Sequence, residues 1–204
     1  MITIKGNERY AHSYLICRFD SCFLIDPSHD EELIYQALDG KKLTGILITH
    51  AHSDHVHLLG SFDVPIYLHQ ADAHLLFEDQ HNGYAPEAHP YKRKQLELKY
   101  VTQGDLISIA DQTIHVFHTP GHTKGSLCFL YENKLFTGDT LFKESVGRHD
   151  LYSGNLVDLR RSVLELIQLN PNIKIYPGHD EPSTIRHEIK NNPFLQKWMK
   201  QRKS

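Results

Sequence analysis

The stretch THAHSDH, from Thr49 to His55, places three histidines and one aspartate within six consecutive residues. It follows directly on the apolar run LTGILI, which has the length and continuous hydrophobicity of a strand covered on both faces. The histidines and the aspartate therefore come where a strand ends and a helix should begin. Three interpretations are open: a surface accident, buried histidines held by hydrogen bonds, or half of a metal site.

Three other segments repeat that layout. In IHVFHTPGH, LFTGD and IYPGH a strand-like run leads into a tight Gly- or Pro-containing segment that ends at His122, Asp139 and His179, respectively. Open α/β architectures gather ligands in the loops beyond the carboxyl ends of their strands. These three segments are therefore expected to converge with Thr49–His55, which favours a metal site over a surface accident or a set of structural histidines.

The side chains of the four segments divide into two sets of metal ligands. Three histidines suit one ion, an aspartate and two histidines suit a second, and one aspartate remains to lie between them. The candidates are His50, His52, Asp54, His55, His122, Asp139 and His179. Imidazole and carboxylate bind zinc and also suit iron or manganese, so we expect two divalent metal ions, with zinc first and iron or manganese as alternatives. Two such ions with a shared water form a hydrolytic arrangement, because a bound ion lowers the pKa of water toward about 7.

The composition is that of an ordinary soluble protein. The 204 residues have the length of one domain, and we expect a single domain over 1–204. A formal net charge of -3 supplies no basic field for nucleic acid or anionic lipid. No segment approaches the roughly 20 apolar residues of a membrane span, and the N-terminus lacks a leader pattern. We therefore expect a small-molecule substrate, no nucleic acid, no membrane and a cytoplasmic location, while the oligomeric state remains unknown.

The cysteines Cys17, Cys22 and Cys128 all lie in apolar runs. An odd number at this spacing makes no disulfide framework, so buried reduced thiols are expected.

The remaining pattern alternates strands and helices. SYLICRF and CFLID predict a hairpin, a helix is expected from about Asp30 to Leu38, and a second helix from Asn155 to about Leu169 carries an apolar stripe. ADAHLLFED predicts a short helix, QHNGYAPEAHPYKRK a polar loop, and the segment after His179 closing helices. Mixed strands and helices indicate an α/β or α+β fold with sheets covered by helices.

THAHSDH, PGHTKGS, GDTLF and YPGHD together resemble, in order, the central motifs of the metallo-β-lactamase superfamily, and within it the glyoxalase II-like hydrolases. The resemblance covers essentially the whole chain and implies a four-layer αββα sandwich of two mixed β-sheets flanked by helices. It implies that His50, His52 and His122 hold the first metal and that Asp54, His55 and His179 hold the second, with Asp139 bridging them. The short ending after His179 is similar to bacterial members without the C-terminal helical domain, which leaves glutathione specificity open.

The resemblance also indicates residues around the ligands. LIDP resembles an acidic loop under the metal site, so Asp26 is a candidate to orient ligand histidines. Thr123 is a candidate to tie down the loop after His122. Arg148 falls where related sequences carry a basic residue for an acidic thiol such as glutathione, but pairing with its neighbour Asp150 is an equal alternative. His12 is expected to be structural.

The expected reaction is thioester hydrolysis by a metal-bridging hydroxide, with Asp54 both a ligand and the group that orients the hydroxide. A thiolate leaving group has a pKa near 8.5 and needs little help from an acid. Two enzymatic alternatives stay open: a persulfide dioxygenase with one iron, and a lactone or phosphodiester hydrolase of the same superfamily. The remaining alternative is a binding module stapled by metal, which the absence of cysteine from the seven candidate ligands disfavours.

Overall fold

The computed structural model describes residues 1–83 and 95–201. Most of the predicted polar loop QHNGYAPEAHPYKRK lies outside the described residues. Its first three residues are not loop, because they belong to a single helical turn, Asp79–Asn82.

The first sheet has six strands in the order β1-β2-β3-β4-β5-β6. Their bounds are Ile2–Ile4, Ser13–Arg18, Ser21–Ile25, Lys42–Leu47, Ile66–Leu68 and Leu98–Tyr100. Strands β1 to β3 pair antiparallel, and β3 to β6 pair parallel. The sheet is therefore mixed, with the predicted hairpin as β2 and β3; the outer strands β1 and β6 were not predicted.

The second sheet also has six strands, and a two-stranded ribbon lies beside it. The strands of the sheet are β7 Leu106–Ile109, β8 Gln112–His118, β9 Leu127–Tyr131, β10 Lys134–Gly138, β13 Lys174–Pro177 and β14 Ser183–Thr184. The ribbon consists of β11 Leu141–Phe142 and β12 Ser145–Val146. The order in the sheet is β14-β13-β10-β9-β8-β7, with only the β10 and β13 pair parallel.

Six α-helices accompany the sheets in the described residues. They are α1 Glu31–Leu38, α2 Ser53–Val56, α3 Asp79–Asn82, α4 Leu156–Leu166, α5 Ile185–Asn191 and α6 Pro193–Gln201. Asp30 caps α1 through Leu33 N, and Asn155 caps α4 through Val157 N and Asp158 N, so both helices begin where the sequence predicts. Helix α4 ends three residues before the expected Leu169. The predicted helix in ADAHLLFED is a 3₁₀ helix, Gln70–Leu76, and a shorter one spans Leu59–Ser61.

Three apolar layers hold these elements together, because successive residues of a covered strand point to opposite faces. Leu24 and Ile46 of the first sheet pack outward against Ile34 of α1. Phe23 packs inward, in the layer that joins the two sheets. On the far side, the second sheet packs against α4, α5 and α6, with Trp198 buried in that layer. The molecule is thus the αββα sandwich that was predicted.

Two hairpin turns lie at the end of the sandwich where β3, β4 and β8 begin. A bidentate ion pair joins the turn between β2 and β3 to the turn between β7 and β8. Arg18 Nε and Nη2 donate to the two carboxylate oxygens of Asp111 at 2.6 and 2.8 Å. The loops that carry the candidate ligands leave from the opposite end.

The prediction of three reduced thiols is wrong for two of them. Cys17 and Cys22 lie directly opposite each other in β2 and β3 and form a disulfide, while Cys128 is a free, buried thiol. The tight turn between the strands sets this register, which spacing along the chain does not reveal. Reduced cysteines therefore no longer support the expected cytoplasmic location. That location stays a prediction. No helix among the described residues is long and apolar enough to cross a membrane.

Candidate metal centre

Three imidazoles converge at the end of the sandwich. His50 Nε2 lies 3.1 Å from His52 Nδ1, and His122 Nε2 lies 3.2 and 2.9 Å from those two atoms. Three ring nitrogens cannot all be hydrogen-bonded to one another, since each carries either a proton or a lone pair along its axis. Ligand nitrogens about 2 Å from one zinc ion stand roughly 3 Å apart, so the spacing is that of three ligands facing one cation.

A second group lies beside the first. His179 Nε2 is 3.0 Å from Asp54 Oδ2, and His55 Nε2 is 3.6 Å from the same oxygen. The donor atoms of these three residues lie close enough together to share one ion. A carboxylate with two imidazoles is a donor set suited to zinc, iron or manganese.

Asp139 faces both groups. Its Oδ1 lies 3.2 Å from His55 Nε2, and its Oδ2 lies 3.7 Å from His122 Nε2. Both His55 Nε2 and Asp139 Oδ1 are buried without a hydrogen-bond partner among the described residues, although they are near neighbours. Buried polar atoms are rarely left without partners. Cations held between the converging donors would satisfy these two atoms, so the residues fit a binuclear metal site.

Each ligand loop follows the end of a strand. The loop from Thr49 follows β4, His122 follows β8, Asp139 follows β10 directly, and His179 follows β13. Gly178 allows the last of these loops to approach the others. A Cβ atom at that position would lie 2.5 Å from Asp139 Oδ1 and 2.5 Å from the ring of His55. A side chain at position 178 would displace Asp139 or His55.

Asp26, the candidate to orient ligand histidines, contacts a histidine of the second group. Its Oδ2 lies 2.8 Å from His55 Nδ1 and accepts the Thr49 hydroxyl at 2.6 Å. Its Oδ1 accepts Thr49 N–H at 2.8 Å. The carboxylate therefore holds the proton of His55 on Nδ1 and leaves Nε2 free toward Asp139.

The ring of His122 is oriented by a backbone group. The carbonyl oxygen of Arg148 lies 2.7 Å from His122 Nδ1, which fixes that nitrogen as the donor and Nε2 as the acceptor. The guanidinium of Arg148 forms a bidentate ion pair with Asp150 at 3.1 Å, and the side chain of Arg148 is 67% exposed. The contact of Arg148 with substrate stays a prediction.

Two further residues hold the loops. Thr123 is fully buried and donates its hydroxyl to Asp72 Oδ2 at 2.7 Å, which ties down the loop after His122. Asp72 lies in the 3₁₀ helix Gln70–Leu76, and no sequence motif points to it. His12 is structural, as expected: its Nε2 donates to Asp180 O at 2.9 Å, and its Nδ1 accepts Gly6 N–H at 2.7 Å.

The electrostatics favour neutral imidazoles at His50 and His52 and charged carboxylates at Asp54 and Asp139. Burial, together with the neighbouring imidazoles, lowers the pKa of His50 well below its usual value, and burial lowers the pKa of His52 to about 4. Burial alone would raise the pKa of Asp139, but the attraction of His55 outweighs it, and the pKa lies below the usual range. The same balance, with His55 and His179 as partners, lowers the pKa of Asp54. Neutral imidazole and ionised carboxylate are the forms that bind metal.

Among the described residues, the second group is more exposed than the first. The three histidines of the first group are buried, with exposed fractions of 2% for His50, 9% for His52 and 3% for His122. The side chains of Asp54 and His179 are 28% and 32% exposed. Solvent therefore reaches the second group more readily than the first.

An αββα sandwich with two facing sets of imidazole and carboxylate donors at one end defines a class of metal-dependent hydrolases. The chain belongs to the metallo-beta-lactamase superfamily, whose family model matches residues 6–179.

Two relatives are similar over most of their length. The probable metallo-hydrolase YqgX of Bacillus subtilis is 32% identical, with 91% of this chain and 92% of the relative covered. A hydroxyacylglutathione hydrolase of Pseudoalteromonas translucida is 30% identical, with 96% of this chain and 85% of the relative covered.

Two solved structures share the architecture. The crystal structure of the BLEG-1 B3 metallo-beta-lactamase has a TM-score of 0.82 and 31% identity, with 95% of this chain and 98% of that chain covered. The crystal structure of TTHA1623 in a di-iron-bound form has a TM-score of 0.81 and 29% identity. The match covers 96% of this chain and 100% of that chain.

Proposed function

We propose that this protein is a binuclear metallohydrolase that cleaves small acyl thioesters, including those of glutathione type. The observation that carries the proposal is the position of Asp139. Its two oxygens face different groups of imidazoles, at 3.2 Å from His55 and 3.7 Å from His122. A carboxylate placed in this way would help to hold a cation at each group.

In the proposed site, His50, His52 and His122 hold the first ion, and Asp54, His55 and His179 hold the second. Asp139 belongs to both. When bound, two divalent ions polarise an acyl carbonyl and make water available as a nucleophile near neutral pH. We expect zinc; the di-iron form of the similar TTHA1623 structure supports iron as an alternative, and manganese suits the same donors.

The protein residues position the reactants. The carboxylate of Asp54 is partly exposed beside His179, so it can accept a hydrogen bond from the attacking water and aim the water at the carbonyl carbon. Water adds to this carbon and releases one proton to solvent, the carbon–sulfur bond breaks, the thiolate leaves with the electron pair, and the acyl group leaves as the carboxylic acid. A thiolate with a pKa near 8.5 needs no strong acid in order to leave, and the described residues of the site supply no evident one.

A nucleophilic cysteine is not available as an alternative. Cys17 and Cys22 are joined in a disulfide. Cys128 is buried in the core, where burial raises the pKa of its thiol to about 12. A thiol that is neither ionised nor accessible does not attack a substrate. Direct attack by water agrees with this arrangement.

The choice of thioesters over other substrates rests on the similarity to a hydroxyacylglutathione hydrolase. The similarity to a B3 metallo-beta-lactamase structure makes a β-lactam the most informative competing substrate, since its amide carbonyl would meet the same donors.

The test is metal content paired with a substrate panel. Protein purified without added metal is analysed for bound ions and assayed with S-lactoylglutathione, a short acyl thioester, a lactone, a phosphodiester and a cephalosporin. The panel is repeated after chelation and after metal is restored. Two ions per chain, with thioester cleavage that is lost and regained in step with the ions, is the expected result.

The other outcomes overturn the proposal. Turnover confined to the lactone, the phosphodiester or the cephalosporin would assign a different hydrolase activity. One iron per chain, with oxygen uptake on glutathione persulfide, would assign a persulfide dioxygenase. No turnover on any substrate, despite two bound ions, would assign a binding role.

A further inference from the structure

We propose that Asp72 is the positioning residue of the first metal group, because its one buried carboxylate fixes both loops that carry His50, His52 and His122. This inference rests on the proposed metal site. Asp72 itself touches none of the three imidazoles through a hydrogen bond, so it acts through the backbone and side chains beside them.

The first contact is with the loop that carries two of the ligands. Asp72 Oδ2 accepts the backbone N–H of Ala51 at 3.3 Å. Ala51 is fully buried and is the single residue between His50 and His52. Holding this peptide therefore fixes the direction in which both neighbouring side chains leave the backbone.

The second set of contacts is with the loop that carries the third ligand. Asp72 Oδ2 accepts the hydroxyl of Thr123 at 2.7 Å, and Oδ1 accepts Gly125 N–H at 2.7 Å. Thr123 follows His122 directly in the chain. At Gly125 a Cβ atom would lie 2.5 Å from the carboxylate of Asp72, so this close approach requires glycine. The carboxylate thus joins the two loops that supply the imidazoles.

Asp72 is a buried carboxylate, and burial disfavours its charged form. The residue is 1% exposed, and burial raises the pKa of its carboxyl group. All three partners are donors, which matches an ionised carboxylate that only accepts. An apolar residue would fill such a position at lower cost if packing were its only purpose. The negative charge beside His122 also favours a cation at the first group.

The second metal group has separate supports. His55 is held by Asp26, and the loop of His179 is held by His12, whose backbone N–H donates to Gly178 O at 2.7 Å and whose ring donates to Asp180 O. Asp72 forms no hydrogen bond with His55 or with the loop of His179, and its contact in the Thr49–His55 loop is at Ala51, between the two ligands of the first group. Loss of Asp72 should therefore weaken the first site and spare the second.

The experiment measures cobalt(II) binding to metal-free protein, with each group isolated in turn. His179→Ala leaves the three-histidine group intact, and His52→Ala leaves the second group intact. Asp72→Asn is added to each background. Asn keeps the volume and the acceptor for Gly125 but presents donors to Ala51 and Thr123.

The expected result is a loss of about 10- to 100-fold in cobalt(II) affinity in the His179→Ala background and none in the His52→Ala background. Thr123→Val, which removes one hydroxyl from a buried position, should give a smaller loss of the same kind. Thr123→Val also tests the inference if Asp72→Asn does not fold. Far-UV circular dichroism and melting temperatures establish that each metal-free variant is folded.

Three outcomes would overturn the inference. Equal losses in both backgrounds would show a general destabilisation. A lower melting temperature with unchanged cobalt(II) affinity would show a purely structural carboxylate. Unchanged affinity and unchanged melting temperature would show no role at all. Failure of the proposed function looks different: wild-type protein then binds two cobalt ions without thioester turnover, or binds none.

Discussion

Asp26 and His55 form a pair sealed from solvent, with Asp26 Oδ2 2.8 Å from His55 Nδ1 and exposed fractions of 2% and 0% for the two side chains. The carboxylate decides which ring nitrogen of His55 carries the proton. It also accepts both the backbone and the hydroxyl of Thr49, so one residue sets the start of the ligand loop and the tautomer of a ligand.

Replacing Asp26 separates these two roles. Asp26→Ala leaves buried donors on His55 and Thr49 without partners, and we expect it to lower the free energy of unfolding by about 3 kcal/mol. Asp26→Asn keeps an acceptor for Thr49 but presents an N–H to His55, which favours the tautomer with the proton on Nε2. We expect a smaller loss of stability and a loss of about 10- to 100-fold in affinity for the second ion. Denaturant unfolding and metal titration measure the two effects. Equal effects of the two variants on both measurements would contradict this division.

Removal of a proposed ligand should abolish turnover without unfolding the chain. We expect Asp139→Ala and His52→Ala to reduce thioester hydrolysis to background, because each removes part of the ion-binding set. The three apolar layers do not depend on these side chains, so both variants should keep the circular dichroism spectrum of the wild type. His115→Ala, an exposed histidine on β8, is the matched control and should keep full activity. Gross unfolding of both ligand variants would show that the fold depends on metal.

Arg148 offers a test of the thiol carrier. Its guanidinium and Asp150 are both largely exposed, so we expect Arg148→Ala to leave the free energy of unfolding essentially unchanged. If the guanidinium binds an acidic carrier, KM for S-lactoylglutathione should rise about ten-fold, and KM for an uncharged thioester should not change. Arg161→Ala removes a similar exposed pair, with Asp158, on α4 and serves as the control. The same change in KM for both substrates would assign Arg148 to its own loop.

The pH dependence of stability should include a contribution from His69. Its ring stacks on that of His118 at 3.9 Å, and burial, with His118 as a second cause, lowers its pKa from 6.5 to about 4. Between these two values the unfolded chain binds the additional proton. The contribution is therefore complete above about pH 6.5 and is lost as the pH falls toward 4. We expect His69→Gln to lose less unfolding free energy than wild type between pH 7 and pH 5, measured by denaturant titration. The exposed His115→Gln is the control, and equal losses in wild type and His69→Gln would refute the expectation.

Local patterns in the sequence indicated sheets covered by helices and the candidate ligands, and the resemblance to the metallo-β-lactamase superfamily implied the sandwich. A buried strand is visible as an apolar run, and a His or Asp directly after it marks the end of the sheet where the loops meet. Asp72 leaves no such pattern, since its partners Ala51 and Gly125 lie 21 and 53 residues away in the chain. The carbonyl of Arg148 belongs to the backbone, and its role is independent of residue type. The pairing of Cys17 with Cys22 depends on strand register, which the spacing of cysteines did not indicate.

The ion pair between Arg18 and Asp111 joins two hairpin turns at the end of the sandwich remote from every candidate ligand. Phe19, in the first of these turns, is 68% exposed. A reporter or a solid support attached at this turn would leave the candidate metal centre clear. The protein could therefore be immobilised there and its bound metal exchanged repeatedly by washing, with activity recorded after each cycle.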